Sequence, residues 1–181
     1  MNFLDKITSI FTPKPTPAPT PAPTATPPPA PEPEPPAPEI PIDERSERNI
    51  ATLSPEAQTK ARAWYRACKA AGLPVIIIDG SRTFAQQDAL YEQGRSKPGK
   101  IVTNARGGYS WHNFGDAWDF GHIEGGVYYT DGKVYDQAGA IAREQGLEWG
   151  GDWTGLVDRP HIQLKTGLTL AQKRERHLAT A

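Results

Sequence analysis

Hydrophobic periodicity predicts a run of regular elements in the C-terminal three quarters of the chain. Ser54, Pro55 and Glu56 are typical of a helix start, and apolar positions 57, 61, 64, 68 and 71 follow at helical spacing. A β-branched run at 74–78 then predicts a buried strand. Residues 83–86 match a capping box, which predicts a second helix ending at Gly94.

Shorter elements are predicted in the second half of the chain. Residues 95–110 are rich in glycine and polar groups and predict a long loop, which is usually functional in a compact domain. The pattern after it predicts a strand at 117–120, a hairpin at 127–135 around Asp131-Gly132, a helix to Gly146, strands at 147–149 and 161–164, and a last helix from Thr169. Helices and mostly antiparallel strands without regular alternation indicate one compact α+β domain, with a small sheet and flanking helices.

The N-terminal quarter cannot contribute to a core. Fifteen of the 19 prolines lie between Pro13 and Pro41, among Ala, Thr and Glu. Such a segment buries too little apolar surface to offset its ordering entropy. We therefore expect a short amphipathic segment at 1–12, a disordered Pro-rich linker at 13–42 and a folded domain at 43–181. The first segment suits either a short helix that docks weakly on a membrane surface or a protein, or an unstructured end.

Charge and cysteine content narrow the classes of partner. The formal net charge is -1 and no basic stripe occurs, which argues against nucleic acid as a partner. The basic cluster at 173–177 fits a last helical turn that complements the helix dipole, or a contact with an anionic cell-surface polymer. Cys68 is the only cysteine, so it forms no intramolecular disulfide, and its helical position predicts a buried apolar residue.

Candidate metal ligands occur in two places. His112 precedes Asp119 by seven residues, and His161 follows Asp158 by three. Two imidazoles and one carboxylate suffice for a zinc site with an open position, and the spare Asp158 could act as a base beside it. Each piece alone also has a structural explanation. A single strand histidine is often only hydrogen-bonded, and Asp119 could form a salt bridge with Arg82 or Arg106.

The same residues resemble a known family. The pattern Ser-x-His-x-x-Gly-x-Ala-x-Asp at 110–119, followed by Asp-x-Pro-His at 158–161, resembles the signature of the zinc peptidoglycan peptidases. That family contains D-alanyl-D-alanine carboxypeptidases and L-alanyl-D-glutamate endopeptidases, including phage endolysins. Residues 88–95, 98–105 and 149–153 look like the endopeptidase branch. The resemblance covers nearly all of residues 45–165.

The resemblance implies a hedgehog/D,D-peptidase-like fold and a set of site residues. One zinc ion would be held by His112, Asp119 and His161, with Asp158 as general base and with Asp152 and Glu148 as alternative bases. Arg82 would hold substrate and stabilise the developing oxyanion, and the polar pocket positions would be Gln87 and Ser110. Two positions depart from the family pattern: Ser81 replaces the usual aromatic residue, and Asp116 replaces a commoner apolar one. His122 has no family counterpart and is predicted to be an exposed loop residue.

The expected function follows from this resemblance. We expect a monomeric zinc peptidase that cleaves peptidoglycan stem peptides between L-Ala and D-Glu. The alternatives are a D-alanyl-D-alanine carboxypeptidase, an inactive cell-wall-binding module, or a relative of the hedgehog signalling domain. The lack of a standard signal peptide at 1–11 favours a cytoplasmic protein released to the cell wall, with a periplasmic or cell-envelope location as the alternative.

Overall fold

The computed structural model describes residues 39–130 and 132–180. The predicted N-terminal segment 1–12 and all but the last residues of the predicted linker 13–42 lie outside this range. Within it, the predicted α+β domain is confirmed: helices and a small antiparallel sheet form one compact fold. No helix among the described residues has the length and apolar content needed to cross a membrane.

Five α-helices and two 3-10 turns surround the sheet. The α-helices are α1 (Glu44–Ile50), α2 (Pro55–Ala70), α3 (Phe84–Glu92), α4 (Gly132–Glu144) and α5 (Leu170–Thr180). The 3-10 turns are Trp111–Phe114 and Gly150–Asp152. Sequence signals place most of these starts. Pro55 begins α2, and α3 starts with a complete capping box between Thr83 and Gln86.

The sheet has five antiparallel strands: β1 (Val75–Asp79), β2 (Ala117–Glu124), β3 (Val127–Tyr129), β4 (Glu148–Trp149) and β5 (His161–Gln163). Their main order is β1-β2-β5-β4, and β3 pairs with β2 as well. Because His122 pairs with both Val75 and Tyr129, β3 lies on the side of β2 away from β1. The long strand β2 therefore runs through the centre of the sheet.

The hydrophobic core lies between one face of the sheet and helices α2 and α4. Trp64 of α2 is fully buried, with its ring centroid 4.9 Å from that of Phe120 and 6.2 Å from that of Trp118. Its indole N–H donates to the Ala138 carbonyl of α4 at 3.0 Å. Cys68 is buried in the same core, as predicted. Since successive strand residues alternate in direction, Asp119 between Trp118 and Phe120 points to the opposite face.

Two predictions about local structure are wrong, and one helix was not predicted. The predicted second hairpin strand at 133–135 is part of α4, and β3 pairs back onto β2 through Gly125 and Gly126, whose φ values are 57° and 81°. Positive φ at both central residues is what a two-residue hairpin turn of type I′ requires, and glycine adopts it without strain. His122 is not an exposed loop residue: it lies on β2, is 6% exposed and stacks on Tyr129. The sequence analysis also missed α1, which Asp43 caps by accepting from the Ser46 N–H.

Candidate active site

A cleft of about 1090 Å³ lies on the sheet face opposite the core. The side chains that line it come from β1, β2, β5, the turn at 111–114 and the loops at 102–110 and 153–160. Asp119 and His161 are among them, because they occupy the outward positions of their strands. The same loop that the sequence predicts to be functional thus forms one wall of the cleft.

Strand register brings three of the polar side chains into a row. Asp119 of β2 is paired with Asp79 of β1 on one side and with His161 of β5 on the other. The β1–β2 register shifts between Ile77 and Asp79, which leaves Ile78 as an extra residue. Such a bulge redirects the side chains that follow it. Asp79, Asp119 and His161 consequently lie side by side across the sheet.

His112 reaches this row from the turn at 111–114. Its Nδ1 donates to the Gly80 carbonyl oxygen at 2.7 Å, and its carbonyl accepts from the Arg82 N–H at 3.0 Å. The turn is therefore fastened to the end of β1 by both backbone and side chain. With the proton on Nδ1, the lone pair of Nε2 faces Asp119 and His161, which is the arrangement that a metal-binding imidazole needs.

The three predicted ligands form a nearly equilateral triangle of donor atoms. His112 Nε2 lies 3.2 Å from His161 Nδ1, and Asp119 Oδ1 lies 3.3 Å from the first and 3.2 Å from the second. Donors about 2.0–2.1 Å from a tetrahedral ion are separated by about 3.3 Å, so these residues fit such an ion without moving far. No other group of three potential ligands of this kind occurs among residues 39–130 and 132–180.

Arg82 binds the oxygen of the Asp119 carboxylate that does not face the two imidazoles. Its Nη2 donates to Asp119 Oδ2 at 2.6 Å, and its Nε donates to Asp79 Oδ2 at 2.7 Å. The salt bridge considered from the sequence is therefore present, but it uses the other oxygen of Asp119. Oδ1 stays directed at the two imidazoles, so the ion pair and a metal-binding role are compatible.

The electrostatics of the triangle favour charged groups. Burial by itself would raise the pKa of Asp119, but the charge and hydrogen bonds of His112 and His161 hold that pKa well below its usual value. For His161, burial lowers the pKa, and the hydrogen bond and charge of Asp119 more than compensate, so its pKa is raised. An ionised carboxylate beside two imidazoles is the donor set that divalent transition metals prefer.

Asp158 lines the cleft beside the triangle, whereas the alternative bases do not. Its backbone is fixed because its N–H donates to the Gly150 carbonyl at 2.9 Å. Burial, followed by the charge of Asp119, raises its pKa above the ordinary aspartate value. Asp152 is exposed and pairs with Arg143, and Glu148 accepts from the Trp153 indole. Of the three acids, Asp158 alone is among the cleft-lining side chains.

The two predicted substrate-contacting polar residues have different surroundings. Ser110 lines the cleft directly before the turn that carries His112. Gln87 is fully buried behind the wall: its Oε1 accepts from Arg82 Nη1 at 3.3 Å, and its Nε2 donates to the Ala105 carbonyl at 2.9 Å. The structure therefore places Gln87 between the arginine and the loop, rather than on the cleft surface.

Three residues near the triangle were missed by the sequence analysis. Gln163 accepts from His161 Nε2 at 2.9 Å, which leaves Nδ1 as the donor to a metal. The ring of Trp153 lies 5.0 Å from that of His161. Tyr128 lies over Gly121, where an added Cβ would come within 2.7 Å of its ring. Only Gln163 had a usable signal, because its position two residues after His161 on a strand predicts the same face.

The two departures from the family pattern have structural explanations. Asp116 is 2% exposed and joins two elements, since its Oδ1 accepts from the Ser54 hydroxyl and its Oδ2 lies 2.6 Å from the Lys173 ammonium of α5. The charged residue is thus paired, as burial requires. Ser81 donates to the His112 carbonyl at 3.2 Å and so supports the ligand-bearing turn instead of forming an aromatic wall.

Comparison with known proteins agrees with this geometry. The family model for D-alanyl-D-alanine carboxypeptidase matches residues 103–164, which include the whole triangle and Asp158. The peptidoglycan L-alanyl-D-glutamate endopeptidase CwlK of Bacillus subtilis (strain 168) is 40% identical over 122 residues, covering 62% of this chain and 73% of that protein. The L-alanyl-D-glutamate peptidase of Escherichia phage T5 is 33% identical, over 68% of this chain and 88% of its own.

A solved structure shows the same fold. The crystal structure of the Serratia marcescens L-Ala D-Glu endopeptidase ChiX matches with a TM-score of 0.54 and 28% sequence identity, covering 70% of this chain and 91% of that chain. The sequence relatives and the solved structure each match 62–70% of this chain, and the family model matches residues 103–164. The chain belongs to the family of peptidoglycan peptidases that contains D-alanyl-D-alanine carboxypeptidases and L-alanyl-D-glutamate endopeptidases.

Proposed function

We propose that this protein is a zinc-dependent L-alanyl-D-glutamate endopeptidase that acts on the stem peptides of bacterial peptidoglycan. The observation that carries the proposal is the triangle of His112, Asp119 and His161 donors, 3.2–3.3 Å apart, inside the cleft that Asp158 also lines. The relatives matched over most of the folded part, in a bacterium and a phage, bear the L-alanyl-D-glutamate peptidase activity in their names. A single zinc ion per chain fits the three donors.

The proposed chemistry divides the work among three groups. When bound, zinc supplies a Lewis acid that polarises the scissile carbonyl and lowers the pKa of water. Asp158 accepts the proton of the attacking water and returns it to the departing amine, a role that its raised pKa suits. Arg82 uses two of its five N–H groups on Asp79 and Asp119 and one on Gln87, so two remain for the developing oxyanion.

Gln87 and Ser110 have supporting roles in this proposal. The Gln87 carboxamide joins Arg82 to the loop at 103–105, and so it fixes the direction of the guanidinium. Ser110 lies on the cleft surface one residue before the turn at 111–114, where its hydroxyl can contact a bound peptide. We therefore assign Gln87 to positioning and Ser110 to substrate binding.

Terminal D-Ala-D-Ala cleavage is the rival activity, and it would use the same groups. The family model named for it spans residues 103–164, which hold the triangle and Asp158 but not the α3 region. The endopeptidases match over 122 residues or more. The longer match is to relatives that are named for the internal cut, and it therefore favours that activity.

Digestion of purified peptidoglycan decides between the two activities. We expect fragments in which the amino group of D-glutamate has become free, identified by mass spectrometry. We also expect a protein loaded with one zinc ion per chain to keep its activity after repeated gel filtration. Release of D-alanine alone would assign the carboxypeptidase activity instead. Binding to peptidoglycan without any new fragment would indicate an inactive cell-wall-binding module. The Asp158→Asn variant serves as the inactive control.

A further inference from the structure

One wall of the cleft carries positive charge that the proposed chemistry does not use. This wall, here named the loop wall, consists of Tyr91 and residues 102–106. Two guanidinium groups contact the Tyr91 ring: that of Arg95 lies 4.0 Å from the ring centroid and that of Arg106 lies 4.7 Å from it. Neither arginine forms an ion pair among the described residues, in contrast to Arg82 at the metal end.

The two arginines of the loop wall differ in how their donors are used. Arg95 donates to the carbonyls of Tyr91 and Thr103 and to the side-chain oxygen of Asn104, so its guanidinium fastens the loop to α3. The side chain of Arg106 has one hydrogen bond among the described residues, a long one of 3.5 Å from Nη2 to the Tyr91 hydroxyl. Arg95 is therefore structural, and most N–H donors of Arg106 are available in the cleft.

The backbone at Arg106 is fixed on both sides although its side chain is exposed. The carbonyl of Ala105 accepts from Gln87 at 2.9 Å, and the N–H of Gly107 donates to Asp88 at 2.8 Å. Gly107 cannot carry a Cβ here, since the atom would lie 2.6 Å from the Phe84 carbonyl oxygen. Two side chains of α3 therefore fix the backbone on either side of Arg106. The Tyr91 ring contacts one face of its guanidinium.

Asn104 adds a neutral donor to the same wall. Its Oδ1 accepts from Arg95 Nη2 at 2.9 Å, which assigns the amide orientation and leaves the Nδ2 hydrogens for another partner. Asn104 and Arg106 both line the cleft that contains the metal triangle. A guanidinium next to an amide N–H, with no acid paired to either, is a site for a carboxylate.

We propose that Arg106, assisted by Asn104, binds the free carboxylate of the D-glutamate residue that follows the scissile bond. This inference rests on the proposed function. Glutamate has two carboxyl groups, and a stem peptide can continue through only one of them, so the other is left as an anion near the cleaved bond. Arg106 is then a specificity residue: it selects an acidic residue after the cut and takes no part in the bond cleavage itself.

The test uses two synthetic stem peptides that differ in one group. In one peptide the non-chain carboxyl of D-glutamate is free, and in the other it is a carboxamide. We expect the wild-type protein to cleave the acid with a kcat/KM about 10-fold to 100-fold higher than the amide, the range of a charge-assisted hydrogen bond. In Arg106→Gln this preference should fall to about 2-fold or less, mainly through a higher KM for the acid.

Controls separate this effect from folding and from general surface charge. Arg48→Gln removes the same charge from an exposed position on α1, where the side chain pairs only with Glu44, and should keep the full preference. Zinc content and Tm of Arg106→Gln should match the wild type, because that side chain is exposed. Arg106→Lys should keep part of the preference, since it retains the charge without the planar fork.

Each outcome decides the matter. An unchanged acid-to-amide ratio in Arg106→Gln, or a wild-type protein without any preference, would overturn the assignment and leave the endopeptidase function standing. A wild-type protein that cleaves neither peptide but removes terminal D-alanine would overturn both. A second peptide pair ends in D-Ala-D-Ala and carries either a free C-terminal carboxylate or a C-terminal amide, so it tests the other carboxylate that Arg106 could bind. Dependence of this second pair alone on Arg106 would contradict the D-glutamate assignment.

Discussion

The metal end and the loop wall of the cleft are built in opposite ways. At the metal end, His112 is 2% exposed and His161 is 6% exposed, and each imidazole nitrogen has a named neighbour within 3.2 Å. On the loop wall, Val102 and the adjoining Ile101 are more than half exposed, and the Arg106 side chain has a single long hydrogen bond among the described residues. The first region is rigid because sheet register and buried hydrogen bonds determine it. The second is a surface held only by anchors from α3.

This difference separates two kinds of effect that substitutions can have. A change at the metal end alters donors that no neighbouring group can replace, so it should reduce metal content or the rate of the chemical step. A change on the loop wall alters contacts with the distant part of the substrate, so it should act mainly on KM. The following variants are ordered from the largest expected effect to the smallest, and each can break this separation.

The largest effect is expected for His161→Ala. The substitution removes one of three metal donors, and the remaining pair, His112 and Asp119, cannot complete a tetrahedral site. Bound zinc, measured by atomic absorption after dialysis, and hydrolysis of peptidoglycan should both be lost. Full zinc occupancy in this variant would show that His161 is not a metal ligand. The pairing of β2 with β5 would then not determine the metal site.

A smaller but still large loss is expected for Asp158→Asn. Asparagine has nearly the same shape but cannot accept the proton, so turnover should fall by about 100-fold or more. Zinc content should not change, since Asp158 lies outside the donor triangle. Near-normal turnover would transfer the role of base to Asp152 or Glu148, although these acids already pair with Arg143 and Trp153.

Gln163→Leu should weaken metal binding without abolishing it. The leucine cannot accept the Nε2 proton of His161, so the tautomer with an available Nδ1 is no longer favoured. Loss of such a partner typically costs about 10-fold to 100-fold in metal affinity. Gln163→Glu keeps an acceptor at the same place and should retain zinc. Equal zinc affinity in the leucine and wild-type proteins, measured by competition with a chelator, would contradict this role.

On the loop wall, Arg95→Gln should raise KM several-fold with kcat and zinc content unchanged. The substitution removes three hydrogen bonds that fasten the loop to α3, and exposed bonds of this kind contribute about 1 kcal/mol each. The Asn104 amide would then lose its orientation. A fall in kcat as large as that of Asp158→Asn would show that the two ends of the cleft are not separable.

The sequence could predict the metal ligands but not all of the groups that orient them. The spacing of His112, Asp119 and His161, together with the family resemblance, identified a potential metal site that the structure indeed brings together. Of the partners that orient these donors, the Gly80 carbonyl was not visible in the sequence, because it acts only through folded geometry. Gln163 did have a signal, since its position two residues after His161 on a strand predicts the same face. Asp79 became a neighbour of Asp119 through a bulge at Ile78, which no local pattern indicated.

Errors in the fold prediction have a common physical cause. Asp131-Gly132 is a strong local hairpin signal, but Tyr135 and Ala138 are buried on the inner face of α4, and that packing outweighs the turn preference. His122 was assigned to a loop because the prediction ended β2 at Phe120. The strand continues to His122 and beyond because β1 pairs with His122 on one side and β3 pairs with it on the other. Tertiary context decided both cases.

The smallest effect is expected for removal of residues 1–38, which lie outside the part of the chain that the structure describes. A boundary at 43 was predicted, but Glu39 pairs with Arg66 at 3.3 Å, and the Ile40 carbonyl accepts from the same arginine at 3.2 Å. We therefore propose that a protein starting at Glu39 keeps its zinc, its Tm and its rate on soluble stem peptides.

A protein shortened past Asp43 should lose stability, in contrast to one that starts at Glu39. Asp43 accepts from the Ser46 N–H and from the Tyr65 hydroxyl, and so caps α1 and ties it to α2. A protein starting at Glu44 lacks this cap and should be about 1–2 kcal/mol less stable in a urea titration, with its rate below the transition unchanged. If removal of 1–38 already abolished hydrolysis of small soluble peptides, the N-terminal segment would have to contribute to the cleft itself, and neither wall would be complete without it.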